Sequence, residues 1–317
     1  MKKDIKKFLT NIIVFIFIII IIFTVLILVI TQLPTEQFRN SYQYAINLKY
    51  KNLKETDKPK IIIVGGSNAA FAINAEIIEN KTNMKVVNLG LHAGFGAKFQ
   101  TELAKVNINE GDIVVLAYEY DSYTDIDRFG AELIVTGIDN NLEIYKFVSP
   151  EQMIDVIRYF PTYVLKKLDS INNEKDGQRY HIDLFDSAGN MIYYRKECIL
   201  PKILNEKNGM IAVDKIDVSE EAITYINNFT MEVEKLGGNV LLTFPPILED
   251  ALYVDEKQIG IFENIIDEKL YPERISNVSD YIFTREYIYD TIYHCNTEGE
   301  KVRSEKLAND ILKYVEN

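Results

Sequence analysis

Cysteines and histidines are scarce in this sequence of 317 residues, and basic residues are fewer than acidic ones. It has 35 Lys and Arg against 47 Asp and Glu, and the formal net charge of −12 argues against a nucleic-acid partner, because phosphate backbones are bound by basic surfaces. Two cysteines, Cys198 and Cys295, are too few for a disulfide framework or a cysteine metal site, and they leave the redox compartment open. Only three histidines are available as catalytic bases.

Charge is also absent from a long stretch near the N-terminus. Residues 12–30 contain one polar residue, Thr24, and no charged one. This run is long enough to span roughly 30 Å of hydrocarbon, and it exceeds the apolar core of about 7–15 residues found in cleaved signal peptides. The residues before it include Lys2, Lys3, Lys6 and Lys7. The positive-inside rule therefore predicts a single-pass cell-membrane protein, anchored through residues 12–30, with a cytoplasmic N-terminus and everything after about residue 33 outside.

The rest of the chain divides into a linker and one large domain. Residues 34–58 are polar with scattered Tyr and Leu, which predicts a stalk or a first helix between the anchor (residues 1–33) and the domain (residues 59–317). In the domain, short apolar runs alternate with helical patterns of about 10–15 residues, which predicts βαβ units and a parallel sheet. The strands are expected at 60–64, 84–88, 113–117 and 239–244, with a fifth near 275–278.

The alternation stops between about residues 120 and 215. This stretch is rich in Tyr and Asp and has no clean period. It predicts an insertion that serves as a cap, a lid or half of a substrate groove, since binding residues often lie on such excursions from a rigid scaffold. A passive structural insertion is the alternative.

The clearest functional signal is residues 60–68, Lys-Ile-Ile-Ile-Val-Gly-Gly-Ser-Asn. Four β-branched residues without alternation, followed by two glycines, indicate a strand that is buried on both faces of a parallel sheet. Ser67 would then lie at the carboxyl edge of that sheet, where open α/β sheets bind ligands. Two alternatives are that Ser67 only caps a helix, or that the glycines bind a dinucleotide, although the Gly-x-Gly-x-x-Gly spacing is missing.

A serine at that edge needs a base before it can attack a carbonyl carbon. His181 lies in the predicted insertion, and His92 lies in the loop after the second strand, where it can line a site. His294 lies just before the last helix, four residues after Asp290. An Asp this close can accept from Nδ1–H and leave Nε2 free for the serine. We therefore predict Ser67 as nucleophile, His294 as base and Asp290 as the orienting carboxylate.

With these residues in place, the chain resembles the SGNH (GDSL-like) hydrolase superfamily over about residues 59–120 and 239–316. The matching blocks are, in chain order, Gly65-Gly66-Ser67, the segment from Asn88 to Gly94, and Asp290 with His294. The resemblance implies an α/β fold, a flavodoxin-like three-layer α/β/α sandwich with a central parallel sheet.

Two blocks depart from the family pattern in their spacing. Asp290 and His294 are four residues apart, where the family has three. The block after the second strand has one extra residue, which leaves two glycines as candidates for the backbone donor to the oxyanion. We expect Gly94, ahead of Gly90, to form the oxyanion hole together with the N–H of Ser67.

The third block of the family, Gly-x-Asn-Asp, is absent. Residues 117–121, Ala-Tyr-Glu-Tyr-Asp, take its place. The family's Asn donates a hydrogen bond to the oxyanion, which an ionised Glu119 cannot do. We expect the Tyr120 hydroxyl or the Asn68 amide to substitute, or the activity to be slow or lost, with Glu119 and His92 as further residues lining the site.

The resemblance implies a serine esterase or O-acyltransferase that acts on acyl esters of a cell-envelope polymer or glycan. Similar single-anchor family members work beside a membrane-bound O-acyltransferase, so such a partner is implied, and no metal or cofactor is. The alternative is a catalytically decayed scaffold or partner of a membrane acyl-transfer system.

Overall fold

The computed structural model describes residues 2–33, 35–57, 59–172, 179–202, 204 and 213–316. Within them the α-helices are α1 (Lys2–Gln32), α2 (Glu36–Arg39), α3 (Ala45–Glu55), α4 (Ser67–Ala72), α5 (Ala75–Thr82), α6 (Ala97–Ala104), α7 (Tyr120–Thr124), α8 (Ala131–Ile138), α9 (Pro150–Asn172), α10 (Glu220–Lys235), α11 (Glu256–Lys269) and α12 (Thr297–Glu316). The strands are β1 (Lys60–Gly65), β2 (Lys85–Asn88), β3 (Ile113–Ala117), β4 (Asn239–Leu242), β5 (Ile247–Leu248), β6 (Glu273–Arg274) and β7 (Ile282–Phe283).

Five strands form one parallel sheet in the order β2-β1-β3-β4-β6, which confirms the predicted central parallel sheet. Strand β1 is buried along its whole length. Ile62 and Val64 pack in a cluster with residues of α10 and α11, while Ile61 and Ile63 pack with residues of α5 and α12. Helices on both faces therefore explain the unbroken apolar run in β1. The fifth strand, β6, covers only Glu273–Arg274 and ends just before the segment predicted at 275–278, which is not a strand.

The N-terminal helix α1 is long and apolar enough to cross a membrane. The apolar span within it is Ile5–Gln32, with a mean hydropathy of 3.8. None of the side chains in its most apolar window is buried against the rest of the chain. Near its C-terminal end, however, α1 packs against α9, and Thr31 is only 8% exposed.

The segment predicted as a stalk or a first helix contains helix α3, which is part of the folded domain. Helix α3 buries Ile46, Tyr50 and Leu53, and it packs beside β2. The Lys49 ammonium on the same helix is also buried, and it donates to the backbone carbonyls of Asn88 and Gly189. The helix alternative holds because apolar residues that looked scattered recur at helical spacing and form one buried face. The two ends of the predicted segment, residues 34 and 58, lie outside the described residues.

The predicted insertion contributes three helices, α7, α8 and α9, and an irregular segment over residues 179–202. Helices α8 and α9 pack on each other and extend an aromatic cluster that includes Phe38, Tyr42 and Phe71. Residues 173–178, 203 and 205–212 of the insertion lie outside the described residues.

Candidate active site

The register of the sheet places Ser67 beside Glu119. Gly65 of β1 pairs with Ala117 of β3, and each of the two polar residues follows two positions later. Strand β2 lies on the other side of β1, so the strand order reverses at this edge. Crevices form at such reversals in open α/β sheets. Here a cleft of about 1100 Å³ opens, and its lining includes Ser67, His92, Glu119, Asp290 and His294.

Asp290 and His294 form a hydrogen-bonded pair in this cleft. Asp290 Oδ1 lies 2.8 Å from His294 Nδ1, and both residues are buried. A tight turn accommodates the four-residue spacing, since the Tyr289 N–H donates to the His294 carbonyl and Ile288 forms a bridge with Cys295. The turn, rather than a helix, therefore brings the predicted base and its carboxylate together.

The surroundings favour a neutral imidazole and an ionised carboxylate. Burial lowers the pKa of His294, although the hydrogen bond with Asp290 partly opposes this. Burial alone would raise the pKa of Asp290, but hydrogen bonds from His294 and Tyr180 and the charge of Arg179 hold that pKa below its usual value. At neutral pH the pair is thus in the state that general-base catalysis requires.

The insertion completes the environment of Asp290. The Tyr180 hydroxyl donates to Asp290 Oδ2, and Arg179 Nη1 lies 3.2 Å from the same oxygen. Both residues also line the cleft. Sequence reasoning missed them, because the insertion has no periodic pattern and its richness in Tyr and Asp does not single out either residue. The insertion is therefore a wall of the cleft and not a passive excursion.

A buried arginine from the insertion ties two parts of the site together. Arg195 is 1% exposed. Its Nε donates to the Cys295 carbonyl at 3.0 Å, and Nη2 donates to the Phe71 carbonyl at 3.2 Å. Nη2 also pairs with Glu300 Oε2 at 2.6 Å. Arg195 thus holds the loop beside His294 against the end of α4.

The predicted donor Gly94 is already engaged. Its N–H donates to His92 Nδ1 at 2.9 Å, and Gly94 is not among the residues that line the cleft. His92 does line it. Because Nδ1 accepts a hydrogen bond, the neutral ring carries its proton on Nε2. The structure therefore offers the Nε2–H of His92 in place of the Gly94 N–H.

Gly90 and His181 do not line the cleft either. A Cβ on Gly90 would lie 2.5 Å from the Ala69 Cβ, so this glycine permits the close approach of the β2 loop to α4. His181 forms an isolated strand bridge with Ser41. Of the three histidines, only His92 and His294 are brought together in the cleft.

The two side chains expected to replace the family's Asn point elsewhere. The Tyr120 ring packs between Phe244 and Phe262 in the core, and its hydroxyl is buried with no hydrogen-bond partner among the described residues. The Asn68 amide donates to the Ala117 carbonyl at 2.8 Å and is completely buried. Tyr120 borders the cleft, but neither polar group is placed to contact a bound oxyanion.

The polar group at this part of the cleft, beside Ser67, is the Glu119 carboxyl, and not the Tyr120 hydroxyl or the Asn68 amide. Glu119 is 7% exposed, and its pKa is raised to about 7, mainly by burial and to a smaller extent by the charge of Asp121. Hydrogen bonds from the Asn68 N–H, at 3.3 Å to Oε1, and from the Ser67 side chain partly offset this. The expectation that Glu119 is simply ionised is therefore corrected, since near neutral pH both protonation states are populated.

No protein-family model matches this chain, and no curated protein matches it significantly.

Proposed function

We propose that this protein is a membrane-anchored serine esterase or O-acyltransferase that acts outside the cell on acyl esters of a cell-envelope polymer or glycan. The observation that carries the proposal is the Asp290–His294 pair, which lies in the same cleft as Ser67 at the carboxyl edge of a parallel sheet. A neutral imidazole held by an ionised carboxylate is the arrangement that activates a serine hydroxyl.

The fold supports assignment to the SGNH-like group. The five sheet strands follow the order 2-1-3-4-5 when they are numbered along the chain, which is the flavodoxin-like order. Ser67 follows the first strand and His294 precedes the last helix, as the resemblance implies. Packing already accounts for Gly65, which lies against the Ala117 backbone, where a Cβ would be 2.6 Å from a carbonyl oxygen. Dinucleotide binding is therefore not needed to explain the glycine pair.

The proposed reaction has two acyl-transfer steps. Ser67 Oγ attacks the acyl carbon while His294 Nε2 takes the hydroxyl proton and Asp290 stabilises the resulting imidazolium. The tetrahedral intermediate then collapses, the bond from the acyl carbon to the alcohol oxygen breaks, and His294 gives its proton to that oxygen. In the second step, water attacks the acyl-enzyme in an esterase and a sugar hydroxyl attacks it in an acyltransferase. His294 takes the proton of the attacking hydroxyl and gives it to Ser67 Oγ as the bond from the acyl carbon to Ser67 breaks.

The oxyanion needs donors in the cleft. The N–H of Ser67 lies at the first residue of α4, where no preceding helical carbonyl is available to it. His92 Nε2–H is the second donor, and protonated Glu119 is the third. A carboxylic acid can donate this bond, whereas a carboxylate repels the developing charge.

The anchor sets the location. With α1 in the membrane and the lysines before it on the cytoplasmic side, residues 35–316 lie outside the cytoplasmic membrane. A membrane-bound O-acyltransferase that passes acyl groups outward is the partner such an enzyme requires if it transfers rather than hydrolyses. External protease should degrade the domain on intact cells stripped of their wall, and complete protection would contradict this orientation.

A catalytically decayed scaffold of an acyl-transfer system is the second candidate. It is favoured by one observation, that the Glu119 carboxyl accepts hydrogen bonds from Ser67 and the Asn68 N–H. When Glu119 is ionised, its carboxylate holds the Ser67 hydroxyl and diverts it from His294.

A fluorophosphonate probe separates the two candidates. The detergent-solubilised parent should be labelled covalently, and Ser67→Ala should not. Absence of labelling in a parent that retains its native circular dichroism, over the range pH 5–8, would favour the scaffold.

A further inference from the structure

Helix α9 exposes an apolar stripe that no part of the described chain covers. Its members, which we call the α9 stripe, are Ile154, Ile157, Pro161, Leu165 and Leu168. Ile157 and Leu165 are 65% and 67% exposed, and they are the most exposed of the four aliphatic members. Spacings of three and four residues place all five on one face of the helix. Such a continuous exposed face marks an interaction site more often than a solvated surface.

The stripe is not the face that packs on the protein. Val156, Tyr163 and Lys167 are buried and lie toward the opposite side of the helix. At about 3.6 residues per turn, the midpoint of the stripe, Pro161, is at least about a third of a turn away from each of them. The helix therefore has two apolar faces, of which the fold uses one.

The position of α9 relative to the anchor is set by a buried lysine. Lys167 Nζ donates to the Thr31 carbonyl at 2.7 Å, in the last turn of α1. It also pairs with Asp139 Oδ1 at 2.5 Å, and Asp139 accepts from the Tyr163 hydroxyl as well. Because both charges are buried and the carbonyl has no other helical donor, this contact joins α9 firmly to the end of α1.

This junction lies where the anchor leaves the membrane. The apolar run ends at Ile30, so Thr31 and the α9 residues that contact it are at the boundary between hydrocarbon and water. From Ile154 to Leu168 the stripe extends roughly 21 Å along the helix, at about 1.5 Å per residue. A stripe of that length, starting at the boundary, is available to the lipid surface.

The charge distribution agrees with this placement. Residues 1–7 carry a net charge of +3, which leaves −15 for the remainder of the chain. Most of the domain is thus repelled by an anionic membrane. Helix α9 has three basic and three acidic residues, but Lys167 is buried against Asp139, so the exposed charges of the helix sum to only −1. It is a segment of the domain that can approach the headgroups with little charge penalty.

We propose that α9 lies on the outer leaflet of the membrane, with the α9 stripe inserted among the lipid headgroups and upper acyl chains. Interfacial helices typically bury their apolar face about 5–10 Å into this boundary. Two attachments, α1 and α9, then fix the height and tilt of the cleft above the bilayer, which a single flexible anchor would not do. This inference rests on the membrane anchoring proposed above.

The test uses the full chain in nanodiscs with an environment-sensitive fluorophore on single cysteines. The background is Cys198→Ser, because Cys295 is completely buried and its pKa is raised to about 12 by burial. Labels go on Ile157→Cys and Leu165→Cys in the stripe. The matched control on the same helix is Thr162→Cys, which is exposed on the polar side. Ile20→Cys, in the middle of α1, reports the anchor itself.

Phospholipids brominated at shallow or deep acyl positions serve as quenchers. Labels at residues 157 and 165 should lose most of their emission to shallow bromines and less to deep ones, and the label at 162 should keep most of its emission. The label at 20 should be quenched best by deep bromines. If the label at 20 is quenched and the labels at 157 and 165 are not, the inference is wrong. This holds both when aqueous iodide quenches the labels at 157 and 165, so that they face water, and when a second protein copy shields them from iodide as well. If 20 is not quenched, the anchoring proposal fails first.

Discussion

The imidazole of His294 lies flat against the phenyl ring of Phe71, with ring centroids 3.9 Å apart and planes 3° apart. Phe71 follows Ser67 by four residues on α4, so the two side chains lie on the same face of one helix. Helix α4 therefore supplies both the candidate nucleophile and the surface on which the candidate base rests. A single turn of α4, and not a loop, therefore fixes the distance between Ser67 and the Phe71 ring.

We expect Phe71→Leu to lower kcat for p-nitrophenyl acetate by about tenfold to a hundredfold, because a branched side chain leaves the imidazole without a flat support. KM should change little, since binding of the small ester does not depend on this ring. Phe99→Leu is the matched control, because Phe99 is equally buried and does not line the cleft. Equal losses of kcat in the two variants would mean that Phe71 acts only through stability.

The parts of this site that come from local sequence could be predicted. An unbroken β-branched run with two glycines is enough to place Ser67 at a sheet edge. The spacing of four residues between Asp290 and His294 is enough to predict that they pair. These predictions depend on backbone preferences within one short segment, and long-range packing does not alter them.

The oxyanion donors that we propose could not be predicted, because they depend on contacts between segments. Glu119 faces Ser67 only through the register of β1 with β3. His92 is proposed as a donor only because its Nδ1 accepts from the Gly94 N–H, which leaves the ring proton on Nε2. Arg195 comes from an insertion without periodicity, and nothing in the sequence around it indicates that it binds the loop at Cys295.

The two histidines in the cleft should fail in different ways. His294→Gln removes the base, and we expect it to abolish labelling by the fluorophosphonate probe. His92→Ala removes a donor to the oxyanion, so labelling should persist at a reduced rate while kcat falls by about 10²–10³. His181→Ala is the control and should match the parent. Loss of labelling in His92→Ala with labelling retained in His294→Gln would reverse the two assignments.

The hydroxyl of Tyr120 should be dispensable. It is buried without a partner among the described residues, and an unsatisfied buried hydroxyl costs about 1–3 kcal/mol. We therefore expect Tyr120→Phe to keep kcat within about twofold of the parent and to leave the free energy of unfolding equal or higher, as measured by circular dichroism in urea. A loss of kcat of about 10² would restore Tyr120 as an oxyanion donor.

Arg195→Met should destabilise the protein by about 3–5 kcal/mol, because it leaves the buried Glu300 carboxylate without its partner. The pKa of Glu300 is already raised to about 7 by burial, and without the guanidinium it should rise further. The folded state then binds more protons than the unfolded one, so stability falls as the pH rises. Urea titrations should show the smallest loss near pH 5 and the largest above pH 7.

Two controls test this explanation. In a Glu300→Gln background, the loss caused by Arg195→Met, measured against Glu300→Gln alone, should not depend on pH. Lys85→Met breaks an ion pair on the surface, where Lys85 is 62% exposed, and should cost less than about 1 kcal/mol at any pH. A loss in Arg195→Met that does not vary between pH 5 and pH 8 would indicate packing, not charge.

Glu119 and His294 together predict an unusual pH profile. The pKa of His294 is lowered from 6.5, so the base is lost only at acidic pH, while Glu119, with a pKa of about 7, loses its proton around neutral pH. Activity should therefore peak between the two pKa values and fall as the pH rises through 7. A conventional serine esterase, with a neutral amide donor at this position, keeps its activity at alkaline pH.

Glu119→Gln should remove the alkaline fall, because the amide donates a hydrogen bond at every pH. At pH 8.5 only about 3% of a group with a pKa of about 7 is protonated, so kcat of the variant should exceed that of the parent by at least about tenfold. Asp121→Asn should instead move the fall to lower pH, since the charge of Asp121 raises the pKa of Glu119. The measurement is kcat for p-nitrophenyl acetate from pH 5 to 9. If the parent holds a plateau above pH 8, Glu119 does not donate to the oxyanion, and Ser67 and His92 must form the hole without it.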